Sequence, residues 1–141
     1  MKLPESARAL IESGTDAHLV TLNPDGSPQV TVVWVGLDGD DIVAAHLRES
    51  KKVTNIRNDS RVALTFESGA KSAMGLTEYL VIYGQARIEE GGAPELLQKL
   101  AHVYLGPDVK FPPMDNPPHG YITRITVEHF TGVGPWTGRV V

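Results

Sequence analysis

The sequence predicts a mainly β domain, an antiparallel barrel of six strands with short helices. Three observations carry this expectation. Apolar residues recur with the period of strands over segments of strand length, "PDGS" and "DGDD" supply hairpin turns between such segments, and few segments have helical spacing. A parallel sheet would need a helical crossover between successive strands, and the chain has none in those places. At 141 residues it fits one domain that buries about two thirds of its unfolded surface without staples.

The elements follow in order. Pro4 to Ser13 reads as a short helix, with proline near its start and Gly14 as its stop. "AHLVTLN" (Ala17 to Asn23) enters the first turn and "PQVTVVWVGL" (Pro28 to Leu37) leaves it, with Gly26 free to adopt a positive φ. "DIVAAHL" (Asp41 to Leu47) is the third strand, and a short helix follows from Ser50 to about Asp59. Arg61 to Ser68 is the fourth strand, Gly69 to Gly75 a loop, and Thr77 to Glu90 a long fifth strand with a bend or bulge at Gly84. Pro94 to Gly106 has helical spacing, and a Pro-rich loop from Pro107 to Gly120 leads to the sixth strand, Tyr121 to Gly132. In the second strand Val30, Val32 and Trp34 alternate with Val33 and Val35, so both faces are apolar. A small barrel buries one face, and the other calls for a cover, with a homodimer as the expected one.

Composition removes several function classes. The chain is 41% hydrophobic and 21% charged, with a net charge of −4 that argues against a broad nucleic-acid footprint. With 0 cysteines it has no thiolate chemistry and no disulfides. Its apolar runs are too short for a membrane span, and "MKLPESARAL" has no apolar signal core, so a cytoplasmic protein is expected. No GxSxG, Walker A or HExxH motif occurs, and the histidines His18, His46, His102, His119 and His129 are scattered without zinc-ligand spacing. No metal site is expected.

The most informative stretch is "ESKKVTNIR". Helix starts carry partial positive charge and unpaired N–H groups, so acidic residues are favoured there, yet Lys51 and Lys52 occupy this first turn. The Ser50 hydroxyl, the N–H groups, the two ammonium groups and Arg48 or Arg57 would converge on one anion. Taken alone, the turn reads equally as a solvated helix end that costs about 0.3–1 kcal/mol.

The strands around the turn add a resemblance. "HLVTLNPDGSPQVTVVWVGLDGDDIVAAHLRESKKVTNIRNDSRVALTFES" and "YLVIYGQARI" resemble the pyridoxamine 5′-phosphate oxidase-like split β-barrel superfamily, and within it the F420 (deazaflavin)-dependent reductases of the B group. The resemblance implies that Val30, Thr31, Val32, Val33 and Trp34 run along a flavin-type ring, with Ala45 and His46 beside the ribityl chain. It implies that Ser50, Lys51 and Lys52 grip the cofactor phosphate, with Asn55 and Arg57 in support. Tyr79 matches a position that reaches the cofactor of the partner subunit. Val30 stands where the oxidase has arginine, and "GPWTGRVV" has no counterpart of the oxidase's substrate-binding arginine motif. Pyridoxamine phosphate oxidation is therefore not implied.

Three functions stay open at this point. The first is an F420-dependent oxidoreductase acting on an unsaturated or carbonyl-conjugated small molecule, and the second an FMN flavoprotein on the same scaffold. The third is a binding protein for a flavin or haem without turnover. The catalytic residues are unknown, with His46, Tyr79 or water as proton donor. The Pro107 to Gly120 loop, with Phe111 and Met114, roofs the substrate side or is a rigid connector, and Trp136 is an apolar anchor or a cover for a partner's cofactor.

Overall fold

A computed structural model describes residues 1–137, and the Gly138 to Val141 end of the "GPWTGRVV" tail lies outside the described residues. The elements are α1 (Glu5–Ile11), β1 (Ala17–Leu22), β2 (Pro28–Val33), β3 (Gly36–Asp38), β4 (Asp41–His46), α2 (Lys51–Asn58), β5 (Arg61–Lys71), β6 (Thr77–Glu90), α3 (Ala93–Tyr104), β7 (Tyr121–Val133) and a 3₁₀ turn (Pro135–Thr137). The strands form one antiparallel sheet of 7 in the order β2-β1-β5-β6-β7-β4-β3. The hairpins expected at "PDGS" and "DGDD" are present, and Asp38 pairs with Asp41 across the second.

Two expectations are corrected. The segment Pro28 to Leu37 is two strands and not one, so the sheet has 7 strands where six were expected. The ladder is also not closed, because β2 and β3 are its two edges. Only Trp34 and Val35 join those edges, a span of at most about 11 Å, so the sheet curls back on itself and stays split at that corner. The cause lies in helix α3. The Val35 N–H donates to the Tyr104 hydroxyl at 3.0 Å, and that hydroxyl's proton is shared between the carbonyls of Thr15 (3.1 Å) and Val35 (3.3 Å). Tyr104 thereby takes the backbone groups that a continuous strand would have offered to a neighbour.

Inside the curl, Leu19, Val35, Ile42, Leu64, Phe66, Leu80, Ile82 and Ile125 form the core, closed below by Ile11 of α1 and Ile56 of α2. The bend expected at Gly84 is a register shift between Tyr83 and Gly84, where a Cβ would stand 2.3 Å from the Thr126 carbonyl oxygen. Trp136 is an internal anchor, buried in the core with its indole N–H donating to the Tyr79 carbonyl at 3.0 Å. Among the described residues, no helix is long and apolar enough to cross a membrane.

Helix α2 is pinned by a buried amide. Asn55 Nδ2 donates to Thr21 Oγ1 at 3.1 Å and to Asn23 Oδ1 at 3.0 Å, tying the helix to the end of β1. Replacing Asn55 with alanine leaves the buried Thr21 hydroxyl without that partner and is expected to lower stability by about 1–3 kcal/mol, read from urea unfolding. Cofactor affinity should change much less than stability, since this amide faces β1.

The outer face of β2, β1, β5 and β6 is left uncovered. The register places Val32 opposite His18 and Val30 opposite Val20, then Ala63 opposite Tyr83 and Glu67 opposite Tyr79, all on one face. Val30 and Val32 are 60% and 58% exposed, and Tyr79 and Tyr83 are exposed with them.

Candidate functional site

The candidate site is built where β4 hands the chain to α2. Ser50 has extended backbone (φ −94°, ψ 173°) and occupies the N-cap position that its residue type predicts. Its side chain, however, makes no cap hydrogen bond, and its Oγ is buried without a partner. That corrects the simple capping expectation: the hydroxyl is held back from the helix it precedes. Buried polar atoms without a partner are rare because each costs about 1–3 kcal/mol. The only other such side-chain atom among the described residues is Thr31 Oγ1 on β2.

The two lysines that follow have different surroundings, and neither forms an ion pair among the described residues. Lys51 is exposed, and Asp25 in the β1–β2 turn feels its charge. The Asp25 carboxyl is held below its usual range chiefly by the Ser27 hydroxyl and N–H, with Lys51 the smallest contribution. Lys52 is half-buried, and burial pushes its ammonium below the usual lysine range. Desolvation of one cation beside another at a helix start is unfavourable until an anion arrives.

His46 ends β4 next to Lys52. It is buried, with Nε2 at 2.8 Å from Thr123 Oγ1, and Gly120 lies against its carbonyl so closely that a Cβ would stand 2.3 Å away. Burial, and then the Lys52 charge, push the imidazole down to about 4. His46 is therefore neutral at ordinary pH, with one ring N–H and no imidazolium proton to give.

The remaining predicted residues are spread over several elements. Val30, Thr31, Val32 and Val33 form the edge strand β2, with Val30 and Val32 outward and Val33 inward. Trp34, expected on that strand, lies beyond its end with its ring 5.3 Å from Tyr104 and 5.2 Å from Phe111. Ala45 is half-buried on β4 opposite Ile122. Asn55 faces β1, as described. Arg57 is taken by Glu49 and, at 3.8 Å, Glu90, and its guanidinium lies 5.2 Å over the Tyr121 ring. Tyr79 shares the exposed sheet face with Val30 and Val32 but sits three strands away, about 14 Å across the sheet. One chain thus brings Ser50, Lys51, Lys52 and His46 together and does not bring Tyr79 to them.

Beside the turn runs an open groove of about 600 Å³ bordered by Arg48, Glu49, Glu90, His119 and Tyr121. Among the described residues, no cluster of three or more acidic, histidine or cysteine side chains is arranged to hold a metal ion. Gln98 and the hydroxyl of Tyr104 are what the sequence leaves unmarked, whereas Phe111 is legible there as part of the loop expected to roof the substrate side. Tyr104 was legible as an apolar position at helical spacing, but nothing local marks its hydroxyl as the partner of Val35.

A flavin-type cofactor fits these residues. A phosphate oxygen would accept from the Ser50 hydroxyl and neutralise the two lysines, and a polar ring edge would satisfy the Thr31 hydroxyl.

Comparison with known proteins agrees with this fold. Residues 3–133 match the sequence profile of the family pyridoxamine 5′-phosphate oxidase. Among solved structures, an F420 reductase is similar at 26% identity and a TM-score of 0.71, over 92% of this chain and 98% of that one. A conserved hypothetical protein from Mycobacterium tuberculosis shares the fold at 21% identity and a TM-score of 0.68, over 92% of this chain and 84% of that one. HupZ from Group A Streptococcus does so at 17% identity and a TM-score of 0.65, over 95% and 97% of the two chains. No curated protein sequence matches the chain. With the profile spanning residues 3–133 and an F420 reductase among its near structural relatives, the chain belongs to the pyridoxamine 5′-phosphate oxidase family.

Proposed function

We propose that the protein is an F420-dependent oxidoreductase that passes a hydride between the reduced deazaflavin and an unsaturated or carbonyl-conjugated small molecule. The observation that carries the reading is the Ser50 hydroxyl, buried without a partner at a helix start where two lysines form no ion pair among the described residues. When bound, the cofactor supplies the hydride chemistry. The chain's own part is to fix and shield. Lys51 and Lys52 neutralise the phosphate, Ser50 donates to it, and β2 orients the ring through its backbone and Thr31. His46, neutral and bonded to Thr123, keeps Lys52 as the local charge, which leaves Tyr79 or water as the proton donor.

The exposed face of Val30, Val32, Tyr79 and Tyr83 supports a homodimer, in which Tyr79 would meet the partner's cofactor rather than its own. A second reading, FMN in place of F420, draws on Arg57. A polyanionic tail needs cations beyond the turn, but Arg57 is already paired with Glu49 and Glu90, and Lys71 stands at the far end of β5. Arg48 is what is left for a long tail. Haem storage would draw an axial ligand from His18, His46 or His129, of which His46 is bonded to Thr123 and His129 is stacked on Tyr83.

Titrating the protein separately with F420, FMN and haem tests the reading. Saturable quenching of F420 fluorescence, followed by turnover of a conjugated acceptor, is the expected result. Quenching by FMN without any by F420 would replace the cofactor, and binding with no turnover of any acceptor would leave a carrier.

A further inference from the structure

The end of β2 carries an assembly that the phosphate site does not use. Trp34 leaves the strand with its ring stacked on Tyr104 (interplanar angle 17°) and tilted at 58° against Phe111. Both neighbours are held in place from behind. Tyr104 is tied through its hydroxyl to Val35 and Thr15. Phe111 belongs to the Pro-rich loop, and Gln98 of α3 clasps that loop at two backbone groups. Gln98 Nε2 donates to the Val109 carbonyl at 2.8 Å, and the Phe111 N–H donates to Gln98 Oε1 at 3.0 Å. Trp34 and Phe111 are nevertheless only half-buried, and Met114, three residues on, is 44% exposed.

An aromatic cluster that served packing alone would need neither a half-open indole nor a dedicated glutamine holding a surface loop. Fixed aromatic faces at the end of a cofactor strand offer contact to another π-system, which gains from offset stacking beyond its buried area. A loop of this length without its own secondary structure, clasped at Val109 and Phe111 and exposed from Pro113 to Asn116, is the usual place for substrate selection.

We infer that Trp34 and Phe111 form the substrate-side wall of the site and select flat, conjugated acceptors, and that Gln98 is the positioning residue that holds Phe111 to this wall. The inference rests on the proposal that β2 carries the cofactor ring, and it names the substrate class of that site.

Two conjugated carbonyl probes separate the outcomes: 1,4-naphthoquinone, flat and bicyclic, and cyclohex-2-enone, small and puckered. Naphthoquinone should quench the indole fluorescence of the cofactor-free protein saturably, and W34F should abolish the effect. F111L, which keeps apolar volume, should raise the apparent Kd for naphthoquinone about 5- to 10-fold. In the loaded protein, F111L and Q98A should lower kcat/KM for naphthoquinone by a similar factor, mainly through KM, and leave cyclohex-2-enone within about twofold. An equal fall for both acceptors, or quenching untouched by F111L, would overturn the wall. If the wild-type chain binds neither F420 nor FMN while the quenching result holds, it is the cofactor assignment of β2 that fails.

Discussion

Replacing Lys51 and Lys52 together with alanine is expected to weaken cofactor binding at least about 100-fold, because hydrogen bonds to charged groups contribute about 1.5–3 kcal/mol each and two are lost. The fold should survive. Neither lysine forms an ion pair among the described residues, and both sit where a helix disfavours cations, so the cofactor-free variant should unfold at the same urea concentration as wild type or a higher one. Fluorescence titration and urea melts on one preparation separate the two effects. S50A belongs in the same experiment, since it removes a hydroxyl that has no partner in the cofactor-free chain. Its cost should appear in binding and not in stability. Unchanged affinity in the double variant would return the turn to a solvated helix end.

The second large effect is on acid stability. His46 has a folded-state value pushed down to about 4, by burial first and by Lys52 second, against 6.5 for an unperturbed imidazole. The unfolded chain therefore binds this proton more tightly than the folded one, and stability contributed by the neutral ring is complete above about pH 6.5. It is lost as the pH falls from there to about 4, to a total of about 3 kcal/mol. Urea unfolding between pH 7 and pH 4 reads this directly. H46Q retains a hydrogen-bonding partner for Thr123 but has no proton to take up, so its stability should be nearly level across that window. An acid slope equal to that of wild type would assign the loss to carboxylates instead. The Asp59 carboxyl, held at about 2 by its hydrogen bonds from Arg61 against 3.8 unperturbed, begins to count only at the foot of this window and does so equally in both proteins.

These two predictions draw on different kinds of information. The lysine pair was legible in "ESKKVTNIR" because charges of the wrong sign at a helix start are a local fact. His46 was legible only as a strand-end histidine. Its low proton affinity comes first from burial, beside a Thr123 that is 77 residues away in the chain, and second from a lysine that α2 folds back against it. Asn55 and Arg57 show the same limit from the other side. The resemblance sets both beside the phosphate, and it does not record that one bonds Thr21 and Asn23 and the other pairs with Glu49 and Glu90. A sequence pattern identifies which groups are near in the chain, and the competition among their partners is settled in three dimensions.

By itself, the sequence determined the class of fold, the hairpins, the helix start at Ser50 and the bulge at Gly84. Each rests on short-range physics: side-chain period, turn geometry and the dihedral range of one residue. Only the tertiary structure decided that the second strand breaks at Trp34, that the sheet curls without closing, and that two hydroxyls, Ser50 Oγ and Thr31 Oγ1, are buried with nothing to bond. The reason is the same in each case. A strand continues or stops according to whether another element takes its backbone groups, and Tyr104, 69 residues from Val35, takes them here. A hydroxyl is satisfied or left waiting according to what packs around it, which periodicity does not record.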